Sequence, residues 1–196
     1  GLRIALFDRQ EPGREASWAS AGILSPAPEN QGMIPLVPLG KASLRLYPEF
    51  IAQVEEISGQ STGYRAKGSL EALLDRSARE ELSTLVALHH GLGLACEPLR
   101  VEEARELEPA LGEDVQAAAL RPEEASVDPR ALTKAVLEAA RRSGAEIFPG
   151  TGVSAICREP ARCSGFITSA GTISAGTTVI AAGSFSAGIE GAAAYA

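Results

Sequence analysis

Residues 127–148 read VDPRALTKAVLEAARRSGAEIF, and this stretch decides the fold. Asp128 is placed to cap a helix, and Pro129 takes its first turn, where a missing N–H costs nothing. Leu132, Ala135, Val136 and Ala139 recur at helical spacing and form one apolar face. Arg141 and Arg142 complement the C-terminal end of the helix dipole, and Gly144 ends the helix. AEIF, residues 145–148, then reads as a short strand. A helix running straight into an apolar strand is the unit from which parallel sheets are wound.

Working outward, GVSAICRE (152–159) reads as a further strand. CSGFITSAGTISAGTTVIAAG (163–183) reads as a hairpin followed by a buried strand, Thr177 to Ala181, that runs into Gly183. At the other end, RIALFD (3–8) is mostly apolar and suits a buried parallel strand ending on Asp8. The middle has a different character. KASLRLYPEFIAQVEEISG (41–59) places Leu44, Tyr47, Ile51 and Val54 on one helical face, with Gly59 as a stop and Pro48 predicting a kink or a late start. GYRAKGSLEALLD (63–75) predicts a strand or hairpin bent at Gly68. SAREELSTLVALHHGLG (77–93) predicts a helix with Ser77 as N-cap and Gly91 past its end, and VEEARELEP (101–109) a short helix closed by Pro109. Strand, helix and strand therefore recur at both ends around an unlike interior. The expected architecture is α/β: a doubly wound layer interrupted by an inserted α+β region.

The chain has 196 residues, 45% of them hydrophobic, with a net charge of -7. No basic patch is present, which argues against nucleic acid or an anionic membrane as partner. No apolar run approaches the roughly 18 residues of a membrane span, and Gly1–Asp8 lacks the pattern of a signal peptide. Cys96, Cys157 and Cys163 are odd in number and lack metal-type spacing, so they read as structural, without a metal site, and fit a reduced, cytoplasmic setting. The first residues read as the interior of a strand region without a Met start, and EGAAAYA (190–196) stops without a cap or strand pattern. The chain thus reads as an interior piece, incomplete at both ends.

Two features carry chemistry. Asp8 closes a strand, where an acid of a doubly wound sheet accepts hydrogen bonds from a ribose; a plain turn acid is the alternative. REASWASAGILSP (14–26) is a run of small residues around a single large one, Trp18. Small side chains let a backbone approach a planar or charged ligand closely, and a tight packed turn explains them equally well. His89 and His90 end a helix, where an imidazolium meets the dipole favourably, and Tyr47 and Tyr64 read as core or interface residues.

Together these segments resemble a known family. LFDRQEPGREASWASAGILSPAPE (6–29) resembles the segment after the second strand of the FAD-dependent amine and D-amino-acid oxidases, most of all the glycine-oxidase branch tied to thiamine biosynthesis. GSLEALLD (68–75), ARELEPAL (104–111), ALRPEEASVDPRALTKAVLEAARRSGAEIFPGTGVSAI (119–156) and TTVIAAGSFSAGI (177–189) are similar to family segments in the same order, with Phe185 where Trp is commoner. The resemblance implies FAD as cofactor and an FAD-binding layer over 1–40 and 123–196, with an α+β substrate domain inserted at 41–122. It implies that Asp8 binds the adenosine ribose and that Arg9 lies on the adenine side. Ala16, Ser17, Ala21, Gly22, Ile23 and Leu24 would line the pyrophosphate and isoalloxazine, and Trp18 would pack beside the flavin. Val153 would present its backbone to the adenine, and Ala181, Ala182 and Gly183 would pass close to the dinucleotide. A Gly-rich turn would precede Gly1, and the arginine pairing with a substrate carboxylate would follow Ala196, so no catalytic residue is nominated.

The implied reaction is oxidative deamination of glycine, sarcosine or a small D-amino acid with oxygen. A dehydrogenase using another electron acceptor, a truncated inactive remnant and a nicotinamide-dependent reductase stand as alternatives. The family resemblance leaves a homo-oligomer open.

Overall fold

The computed structural model describes residues 1–159 and 162–192; the last four residues of the Ala-rich tail lie outside them. Packing divides the chain into two units, Gly1–Ala19 with Val136–Ala196, and Ser20–Ala135.

In the first unit, β1 (Ala5–Phe7) pairs in parallel with β7 (Glu146–Phe148), Leu6 opposite Ile147. The helix feeding β7, α5, spans Pro129–Arg142. Helix–strand order and parallel pairing are those of a wound layer. Phe7 stacks on Phe148 with ring centroids 4.6 Å apart and meets Phe166 edge-on at 5.0 Å. Phe166 belongs to an antiparallel sheet of β8 (Val153–Glu159), β9 (Arg162–Thr168) and β10 (Gly171–Ser174), in the order β10-β9-β8. The stretch Thr177–Ala181, expected as a buried strand, is not a strand, and Val179 is 82% exposed. Among the described residues it joins none of the edges that β1, β7 and β10 leave open. The chain instead passes into a 3-10 turn at Gly183–Gly188.

In the second unit, β5 (Ala117–Arg121) is the centre of an antiparallel sheet, flanked by β3 (Ser69–Leu73) and β4 (Glu97–Leu99). Ala117, Ala118 and Ala119 are buried, and their small side chains let α3 (Ala78–Gly91) and α4 (Val101–Leu107) lie against this strand. The long helix α2 covers Val37–Ser58 and buries Val37, Ile51 and Val54. It starts before Lys41 and continues through Pro48, and Gly59 in the left-handed conformation (φ 68°) ends it as expected. Ser77 stands at the N-cap of α3, but its hydroxyl donates to Glu81 and makes no backbone cap.

The cap of α5 matches the sequence expectation. Asp128 Oδ1 accepts from the N–H groups of Arg130 (2.9 Å) and Ala131 (3.0 Å). Hydrogen bonds from Ala131 and then Arg130 hold its carboxyl below the usual aspartate value. Cys96 is buried and its thiol is pushed up by burial, then by the nearby Glu124 and Glu97 charges; all three cysteines are free.

Candidate functional site

The predicted residues of the first unit gather around Arg9. Asp8 follows β1 directly, its N–H donating to the Phe148 carbonyl at 3.2 Å and its carbonyl accepting from Thr151 N at 2.7 Å. One carboxylate oxygen accepts from Gln10 N at 2.9 Å. The Arg9 guanidinium pairs with Glu15 through Nε at 2.9 Å. Its flat face lies 3.6 Å from the Phe185 ring centroid, a cation–π contact. A Cβ added at Gly152 would sit 3.6 Å from Arg9 Cβ, so the residue just before β8 adjoins the same side chain. Strand end, the approach to β8 and the 183–188 turn thus meet at one residue. Glu15 leads into a single helical turn, α1 (Ala16–Ala19), on which Ala16 and Ser17 are exposed. Arg14 lies over the Trp18 ring at 4.1 Å. Ala181 and Gly183 are exposed, Ala182 is half-buried, and nothing stands within 4 Å of a Cβ added at Gly183.

The predicted residues of the second unit lie on a ribbon. β2 (Ile23–Leu24) pairs antiparallel with β6 (Ala125–Ser126). The other edge of β6 bonds the 62–68 segment: Arg65 N donates to Ser126 O at 2.8 Å, Ser126 N to Arg65 O at 2.9 Å, and Asp128 N to Thr62 O at 3.1 Å. Thr62 is buried and donates through its N–H (2.7 Å) and hydroxyl (2.8 Å) to Glu55, holding that carboxyl below the usual glutamate value. Gly22 has φ +78°, its carbonyl accepts from Val127 N at 2.9 Å, and an added Cβ would stand 2.1 Å from Val127 O. The clearance demanded at Gly22 is therefore set by its own ribbon. Ala21 and Ile23 are exposed, Ile23 by 66%, while Leu24 is half-buried.

The family profile of FAD dependent oxidoreductases, DAO, matches residues 1–194. The chain belongs to this family. It is 31% identical over 188 residues to the glycine oxidase of Geobacillus kaustophilus, covering 94% of this chain and 49% of that protein. It is also 31% identical over 184 residues to the bifunctional protein ThiO/ThiG of Synechocystis sp., covering 94% of this chain and 26% of that one. The solved glycine oxidase from Geobacillus kaustophilus superimposes with a TM-score of 0.85 at 30% identity, over 95% of this chain and 50% of its own. This chain therefore spans half or less of the length of these relatives. The doubly wound, FAD-family architecture expected from the sequence is the one found.

The donor set fits the family's cofactor, FAD. In the first unit a strand-end carboxylate suits a ribose and the Arg9–Phe185 face suits a flat ring. Two other concavities hold none of these residues: one lined by Ile156, Arg158, Cys163, Thr178 and Ile180, and one on α2 around Tyr47 and Phe50.

The histidines and tyrosines singled out in the sequence make structural contacts. His89 is buried with Nδ1 2.8 Å from Leu85 O, and His90 Nε2 lies 3.0 Å from Cys96 O. Tyr47 and Tyr64 stack at 6.2 Å. Among the described residues no cluster of His, Cys, Asp and Glu is arranged to hold a metal, and no helix is long and apolar enough to cross a membrane. Sequence reading missed Glu124, whose carboxylate is buried at the end of the ribbon; in RPEEASVDP it looks like one of two surface acids, and only Arg121 three residues before it hints at a partner.

Proposed function

We propose that the chain is the FAD-binding and partial substrate-binding portion of an oxidase of small amines: glycine, sarcosine or a small D-amino acid. Within it, residues 1–40 and 123–196 hold FAD and residues 41–122 begin the substrate domain. The convergence of Asp8, Gly152 and Phe185 on Arg9 carries this reading, and the likeness to glycine oxidases supports it. Asp8 accepts the adenosine ribose hydroxyls, and Arg9 and Phe185 flank the adenine side. Ala16, Ser17, Ala21, Gly22, Ile23 and Leu24 line the pyrophosphate and isoalloxazine, and Ala181–Gly183 give the dinucleotide a close backbone passage.

Bound FAD supplies the electron acceptor for oxidation of a carbon–nitrogen bond. These residues hold and orient it, and no acid or base among them is required. Oxygen takes the electrons, giving hydrogen peroxide, and hydrolysis of the imine releases ammonia or an amine.

Equilibrium dialysis of FAD against this chain, with peroxide release from the longer protein on glycine and sarcosine, tests the proposal. Micromolar retention of FAD is expected. A longer protein that stays colourless with added FAD overturns it, and turnover without peroxide moves the activity to a dehydrogenase.

A further inference from the structure

We propose that Glu124 is a positioning residue that latches the 22–27 segment to the start of β3. The proposal rests on the reading of 21–24 as flavin-facing. The Glu124 side chain is only 4% exposed. Its Oε1 accepts from the Ser25 hydroxyl, immediately after β2, and stands 3.5 Å from Arg121 Nη1. Its Oε2 accepts from the Ser69 hydroxyl, the first residue of β3, at 2.5 Å. Its carbonyl accepts from Gly68 N at 3.0 Å. Arg121 is anchored in turn by Glu71 in the middle of β3. Ser25 Oγ also accepts from Ala27 N at 3.1 Å, so the hydroxyl that reaches the carboxylate shapes the turn after β2.

One buried carboxylate, just before β6, therefore receives a hydroxyl from each segment flanking that strand. β2 itself has only two residues, Ile23 and Leu24, too short a ladder to fix its direction. Each latch bond is made to a charged, water-excluded acceptor, where hydrogen bonds are strongest and loss of one partner is most felt. Loosening Ser69 frees the carboxylate to follow Ser25, and the exposed Ile23 two residues before it loses its aim.

The test compares Ser25→Ala, Ser69→Ala, the double variant and Glu124→Gln in the full chain. Amide hydrogen exchange over residues 20–27 reads the latch without flavin. Ser69→Ala, 44 residues away in sequence, is expected to speed exchange there as Ser25→Ala does, and the double variant to add little, because both act through one group. With FAD, Ser25→Ala and Ser69→Ala are each expected to weaken binding about tenfold and to change the visible circular dichroism of the bound flavin, and Glu124→Gln, whose amide oxygen still accepts one hydroxyl, to do both to a smaller degree. Unchanged exchange at 20–27 in Ser69→Ala overturns the latch. Faster exchange with unaltered FAD affinity and flavin spectrum overturns the positioning role. A wild-type chain that holds no FAD overturns the proposed function instead, while the exchange result still decides the latch.

Discussion

Replacing Gly22 by alanine tests how the ribbon is built. Two penalties are independent of any ligand. At φ +78° an L-residue costs about 1–2 kcal/mol. The new Cβ would also stand 2.1 Å from Val127 O and 2.9 Å from Pro129 Cδ. Neither neighbour is the end of a flexible side chain, so backbone must move, and the 2.9 Å bond from Val127 N to Gly22 O is stretched or lost, a further ~0.5–1.5 kcal/mol. The sum is about 1.5–3.5 kcal/mol, or roughly 3–14 °C in melting midpoint for a chain of this size. Thermal and urea unfolding followed by far-ultraviolet circular dichroism measure it. Gly176→Ala is the control, since nothing stands within 4 Å of its added Cβ, and it should leave stability unchanged or slightly raised. A Gly22→Ala variant within about 0.5 kcal/mol of wild type would refute the argument that Val127 sets the clearance there.

Ala104 is fully buried on α4, so Ala104→Leu should overpack the contact with β5 and cost about 1–3 kcal/mol in urea unfolding. The Asp128 carboxyl is held below its ordinary value by the α5 N–H groups, so its contribution is present above about pH 3.9 and is lost as pH falls through the lowered folded value; Asp128→Ala should lower the midpoint at neutral pH and lose that difference in strong acid. Phe185→Ala removes the face on which Arg9 rests, a contact worth about 0.5–1 kcal/mol at an exposed site, and on the proposed function FAD should bind about 2–5-fold more weakly by dialysis.

What was legible in the sequence was local. Asp128, Pro129 and Gly144 bracket α5 through contacts within a turn or two of chain, and Gly59 stops α2 the same way. The parallel strand before Asp8 was legible because an apolar run ending in an acid needs no distant partner to be read, but its expected burial is not found, Ala5 and Leu6 being exposed. Residues 177–181 misled because an apolar pattern says nothing of whether a partner strand takes it up. The small residues of 14–26 pointed to close approach, but the atom approached by Gly22 lies just past a strand far along the chain. Glu124 was illegible for the same reason: its burial depends on two serines from separate segments.

The ribbon also has a history during synthesis. Ile23 and Leu24 must wait for Ala125 and Ser126 before they can pair. At the usual elongation rate of about 5–20 residues per second, that interval is on the order of 5–20 seconds. Throughout it an apolar segment leaves the ribosome with no ladder to join, while α2, α3 and the β3 strand are completed behind it. The segment proposed to meet flavin thus settles only after the elements between its two strands are made, and nascent-chain chaperones have an opportunity there.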